Sequence, residues 1–143
     1  MAVQAGRDRA LRQILATAHD GQTLREIDFS GAALHSVAAP GLLWVDRCRF
    51  TQADLRHATL DGCHFKLCDL DGADLRGASL RGATFAGCNL AGADFRGADL
   101  FDVSFGVVGV GAGSTPSRLI GARLDEGALR SARFDEGVER PPA

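Results

Sequence analysis

The residues of this chain able to do chemistry are four cysteines, four histidines and a series of Asp–Arg pairs. Cys63 precedes His64, a nucleophile next to a base. Neighbouring residues of an extended stretch point to opposite sides, so this pair does not converge on a substrate. Cys48, Cys68 and Cys88 recur at a spacing of twenty. Stacked in one column, they would come within disulfide range, but parallel side chains are poorly aimed to bond. All four cysteines therefore read as buried free thiols acting as small apolar residues. No histidines converge to complete a zinc site. Unpaired thiols point to a reducing cytoplasm. Gly109-Val110-Gly111-Ala112-Gly113 has the composition of a phosphate loop. Such a loop needs a following helix N-terminus to supply N–H groups, and none is expected. The chain thus reads as non-enzymatic, without cofactor or metal.

The elements that hold these residues follow a beat of five. From Phe50 to Phe105 every fifth residue is Leu or Phe, and two residues before each stands a small one: Cys48, Ala53, Ala58, Cys63 and onward to Val103. Neither a helix nor a strand repeats at five. A fixed short repeat means one unit stacked on itself. One small and one large inward position per unit suit a narrow coil filled by its own side chains. Glycines two residues after the large position, as at Gly72 and Gly77, suit a turn needing positive φ.

Ala73-Asp74-Leu75-Arg76-Gly77 and Ala93-Asp94-Phe95-Arg96-Gly97 resemble the pentapeptide-repeat family, whose consensus is roughly A-[DN]-L-x-x. The resemblance implies an all-β solenoid, a right-handed quadrilateral β-helix with twenty residues per turn. Coils would stack at about 4.8 Å. The sequence carries that longer period on its own: Phe65, Phe85 and Phe105 would form an aromatic ladder, Asp54, Asp74 and Asp94 an acidic column, and Arg56, Arg76 and Arg96 a basic one.

Along the chain, residues 1–20 are expected to form a capping α-helix, with Leu11, Ile14, Leu15 and Ala18 on one face. Residues 21–135 are expected to form the solenoid of about five coils, with a loop insertion at 106–118, and 136–143 a disordered tail. From Leu24 the beat runs one residue out of phase with Phe50, and Pro40-Gly41 is the natural place for the slip. A slip there turns Val45 inward and Trp44 outward; a later one turns Trp44 inward, in the column of Phe65. After Phe105 the beat resumes at Leu119, Leu124, Leu129 and Phe134, as though the loop held about nine extra residues. No helix is expected after that coil.

Formal net charge is −2, and residues 1–47 and 106–143 each balance to zero. Nothing favours nucleic acid or a membrane surface as partner. No signal peptide and no apolar run of membrane length are evident. The first functional expectation is a rigid protein-interaction module of unknown partner. Its candidate surface is Asp54, Arg56, Asp74, Arg76, Asp94, Arg96 and an outward Trp44. Its candidate binding loop includes Val107, Val108, Val110, Ser114, Thr115 and Arg118. Apolar side chains at the last coil, Leu119, Leu124, Leu129 and Phe134, would support a homodimer. The resemblance adds a second expectation. Some pentapeptide-repeat proteins resemble duplex DNA in shape and charge, bind DNA gyrase and protect it from quinolones or other topoisomerase poisons, which makes a type II topoisomerase a candidate partner. A net charge of −2 is small for a DNA mimic. An accessory protein or enzyme of a biosynthetic pathway is the third reading, with no catalytic residue behind it.

Overall fold

The structure, a computed structural model, describes residues 2–109 and 111–141. Its elements are α1 (Ala2–Ala16), β1 (Gln22–Arg25), β2 (Leu43–Asp46), β3 (His64–Lys66), β4 (Thr84–Ala86), β5 (Ser104–Val108), β6 (Thr115–Pro116), α2 (Glu126–Ser131) and β7 (Arg133–Phe134), with a 3₁₀ turn at Gly111–Gly113. Strands β1 to β5 and β7 form one parallel sheet, the first side of the solenoid. Three more sides are ladders of single parallel bridges. Asp28, Arg49, Asp69, Asn89 and Arg118 form the second, Ala33, Asp54, Asp74, Asp94 and Arg123 the third, and Ala38, Thr59, Ser79 and Asp99 the fourth. The result is a four-sided parallel β-solenoid of about four regular turns, with an irregular further coil and a helix at its N-terminal end.

Each unit shows why its residue types are needed. In residues 73–77, Ala73 and Leu75 point inward and are fully buried, while Asp74 lies between them on the outside. Two residues after the large side chain the backbone turns left-handed, at Gly72 and Gly77 but also at Gln52, His57 and Leu67. Glycine escapes the cost that a Cβ meets there. Gly72 and Gly77 have a second reason. A Cβ on Gly72 would run into the Gln52 side chain, and one on Gly77 into the His57 ring, because those corner side chains lie over the next coil.

The interior is solid. Phe65 and Phe85 stack at 4.8 Å, Phe85 and Phe105 at 5.5 Å, and Phe105 and Phe134 at 5.1 Å, all nearly parallel. Phe95 meets Phe85 and Phe105 edge-on from the third side. Such ring pairs add to the transfer of apolar surface from water. The phase slip lies at Pro40–Leu42: Leu24 pairs with Val45, Val45 with Phe65, and Leu42 is the added corner residue. Val45 is buried and Trp44 faces out, 46% exposed.

Both ends depart from the beat. A coil leaves every second backbone carbonyl of its open edge facing outward. At the N-terminal end Arg7 donates to the Asp28 carbonyl at 3.1 Å, and Arg12 donates to those of Ala33 and His35 at 3.3 and 2.8 Å. Leu11 and Leu15 seal the interior beneath. At the other end, Arg118 pairs with Asn89 and Arg133 with Ser104, an offset of twenty-nine that contains nine added residues.

Four expectations need correction here. First, the insertion at 106–118, expected to be a loop, forms a hairpin: β6 pairs antiparallel with β5, Val107 opposite Pro116 and Val108 opposite Thr115. This hairpin lies back over the corner of Gly87 and Leu67. Val110 falls outside the described residues. Second, the last coil does not keep the five-residue beat expected of it: a helix within it, α2, replaces its fourth side. Third, helical spacing then buries Ala128 and Ala132 and leaves Leu129, expected inward, only half-buried. Fourth, the tail expected to be disordered turns back as far as residue 141. Val138 is buried, and the Arg140 guanidinium sits 4.9 Å over the Phe134 ring.

Candidate functional site

The surface residues singled out from the sequence lie on opposite sides. The Asp and Arg columns occupy the third side, whereas Trp44 stands on the first. They do not form one surface, and their electrostatics differ.

On the third side each arginine turns back onto the aspartate two residues before it. Arg56 donates Nε and a terminal nitrogen to Asp54, both at 2.8 Å; Arg76 holds Asp74 at 2.8 and 2.6 Å, and Arg96 holds Asp94 at 2.9 and 2.7 Å. The arginine backbone N–H also donates to the same carboxylate, at 3.1 to 3.2 Å. Arg56 approaches Asp74 at 3.9 Å and Arg76 approaches Asp94 at 4.0 Å, linking coils. The arginine side-chain hydrogen bonds, ahead of every other influence, hold the three carboxyls below the usual aspartate range. At the ends other residues continue the rows: His35 lies 3.6 Å from Asp54, and Arg123 extends the aspartate column. This face satisfies its own charges and leaves no acidic strip.

The first side is different. Its outward row runs Thr23, Trp44, His64, Thr84, Ser104 and Arg133. Trp44 stacks on His64 at 4.4 Å with planes 23° apart. Beside them Asp46, only 9% exposed, accepts from Arg25 Nε at 3.0 Å and from Arg47 at 3.0 Å. Lys66, next to Asp46 in the sheet, makes no ion pair among the described residues. These side chains line a shallow depression of about 170 Å³ with Thr23 and Val45. Trp44 was legible in the sequence; its neighbours were not, because His64, Lys66 and Asp46 join it only once coils are in register.

The binding-loop candidates split likewise. Val107 and Val108 are half-buried within the hairpin, Ser114 is half-buried, and Thr115 and Arg118 are exposed. Ser117, which sequence reasoning passed over, is buried: its hydroxyl donates to the Phe85 carbonyl at 2.8 Å and accepts from the Cys88 N–H at 3.1 Å. It ties the insertion to the corner. At the last coil Leu119 is buried, and Leu124, Leu129 and Phe134 are half-buried. Glu139, Arg140 and Pro141 line a shallow cavity of about 250 Å³ together with Leu119, Ile120 and Gly121.

The thiols are interior. Cys48, Cys68 and Cys88 each direct Sγ at a carbonyl of the preceding coil, those of Leu24, Val45 and Phe65, at 3.2 to 3.5 Å. Burial pushes Cys48 up to about 11 and Cys63 to about 12; the hydrogen bond with Cys88, then burial, raises Cys68 as well. No disulfide is present among them. Among the described residues, no group of three or more His, Cys, Asp or Glu is placed to hold a metal, and no helix is long and apolar enough to cross a membrane.

Comparison with known proteins bears on this architecture. The family model described as pentapeptide repeats matches residues 48–85 and 78–106, in 8 copies. A search of curated proteins finds no match. Among solved structures, the chain is similar to a pentapeptide repeat protein from the Arabidopsis thaliana thylakoid lumen, at 28% identity and a TM-score of 0.45, covering 78% of this chain. It spans 64% of that protein's length. A pentapeptide repeat protein from Nostoc PCC 7120 is similar at 18% identity and a TM-score of 0.48, covering 94% of this chain and 95% of the other. QnrB1, a plasmid-mediated fluoroquinolone resistance protein, is similar at 24% identity and a TM-score of 0.42, covering 78% and 67%. Residues 48–106 are pentapeptide repeats by that family's model, and they build the four-sided coil described above.

Proposed function

We propose that the chain is a rigid, non-catalytic docking module that binds a protein partner through the face around Trp44. One observation carries this reading: a large aromatic side chain, 46% exposed and stacked on His64, stands on a flat sheet whose interior is filled. Aromatic residues dominate binding hot spots, and a ring held by its neighbour loses little freedom on binding. The solid core and the self-satisfied third side support a scaffold rather than an enzyme. Buried free thiols support a reducing compartment such as the cytoplasm. A type II topoisomerase engaged by duplex-like charge has less support, because Asp54, Asp74 and Asp94 are each held by an arginine.

The test is affinity capture from the source cells with wild type and Trp44→Ala, both checked for equal melting temperature. A partner retained by wild type and lost with Trp44→Ala is the expected result. Identical captured proteins for both would overturn the reading.

A further inference from the structure

We infer that the partner presents an acidic segment to the first side, with an aromatic or aliphatic side chain seated on Trp44 and carboxylates reaching Lys66 and Arg25; this rests on the docking reading above. The charge balance of the patch carries the inference. Arg25, Arg47 and Lys66 stand against Asp46 and the corner residue Glu26. Asp46 is nearly buried and already accepts from both arginines, so it offers little negative charge outward. Arg25 uses Nε for that bond and its side chain is 65% exposed, which leaves the terminal nitrogens of its fork facing solvent. Lys66, the sole lysine of the chain, is exposed and unpaired among the described residues. Two outward cations thus flank an indole in a depression of about 170 Å³, room for one side chain. An acidic segment with one apolar residue matches that layout in charge and shape. Strand β1 ends the sheet, but Trp44, Arg25 and Lys66 all project from its outer face, so the recognition inferred here is by side chains rather than by strand addition at that edge.

The experiment selects peptides from a phage-displayed random library on immobilised wild-type protein. Enriched sequences are then synthesised and their binding is followed by the emission of Trp44, the single tryptophan. Expected are peptides with Asp or Glu flanking an aromatic or Leu residue. Their affinity, measured on labelled peptide, should fall about tenfold or more with Lys66→Glu, fall further with Trp44→Ala and survive Lys66→Arg, all at unchanged melting temperature. Enrichment of peptides without acidic residues, no enrichment, or affinity indifferent to both variants would overturn the inference. So would displacement of the peptide by oligothymidylate, since the indole and cations would then serve as a stacking platform for single-stranded nucleic acid. A captured partner that depends on Trp44 but is not displaced by acidic peptides would sink this inference alone. Loss of the Trp44 dependence would sink the docking reading beneath it.

Discussion

The middle coils and the two ends solve the same problem by different means. Between residues 63 and 82 each side is covered by the next coil, and each inward side chain has a counterpart twenty residues away. Repetition therefore suffices there. At the N-terminal end no coil precedes β1 among the described residues, and Arg7 and Arg12 of α1 supply donors to the edge carbonyls. At the C-terminal end α2, Val138 and Arg140 cover what β7 leaves open. A repeat builds its own neighbour, whereas an end needs residues of another kind.

The largest effect should come from placing one charge in each region. Leu75 is fully buried and its surroundings are apolar, so Leu75→Asp should cost more than about 4 kcal/mol and unfold the solenoid. Leu129→Asp, on the half-buried face of α2, should shift the melting temperature by only a few degrees. Circular dichroism melts decide; equal effects would erase the contrast between middle and end.

Next comes the corner packing. Gly77 has φ of 70° and lies under the His57 ring. Gly77→Ala should cost about 1–2 kcal/mol from backbone strain, plus the displacement of that ring. In a double-mutant cycle His57→Ala should recover the second part and not the first. Additivity of the two substitutions would show that the ring is not displaced.

At the N-terminal end, Arg12→Ala removes two hydrogen bonds to coil carbonyls in a partly exposed setting and should cost about 1 kcal/mol. The loss should be local. Hydrogen exchange should quicken at Leu11, Leu15 and the first coil while Leu75 and Phe85 keep their protection. Uniform loss across the chain would mean that the cap and the coils unfold as one unit.

The thiols test burial without a mutation. Cys48 and Cys63 are raised to about 11 and 12, so at neutral pH they are protonated as well as shielded. A thiol reagent should label all four cysteines slowly in native protein and fully in denaturant. Rapid native labelling of Cys68 would contradict its inward register.

The smallest effect belongs to the third side. The lowered carboxyls of Asp54, Asp74 and Asp94 contribute stability that is complete above the ordinary aspartate pKa of about 3.9. It is lost as pH falls through their lower folded values. Acid titration of melting temperature should therefore show a decline below about pH 4, shallower in Arg76→Gln. An unchanged slope in that variant would assign the acid sensitivity elsewhere.

The beat of Leu and Phe made the coil and the inward thiols legible in the sequence, because burial of a short repeat depends only on residue type and spacing; its four sides were what the family resemblance implied. The twenty-residue recurrence of Phe65, Phe85 and Phe105 announced the stacking, and the nine added residues before Leu119 were countable. Trp44 illustrates the boundary of that reading. Its direction hinged on where one residue was added, and local propensity around Pro40-Gly41 did not distinguish the alternatives. The sheet pairing of Val45 with Phe65 did. His64, Lys66 and Asp46 join it across two strands of successive coils, a meeting set by register.

The ends mark the same division. Residues 106–118 broke the beat without saying where they would go, and the buried Ser117 hydroxyl, bonded to Phe85 and Cys88, turned them back as a hairpin. The tail looked too polar to order itself, yet Val138 and Arg140 found a partly open coil to cover. By itself the sequence determined the repeating unit, its inward residues and the stacking period, since each coil's contacts repeat at a constant separation. Only the tertiary structure decided which charges were spent on each other, which aromatic ring stayed outside, and how each end closed, because those contacts join residues that share no common spacing.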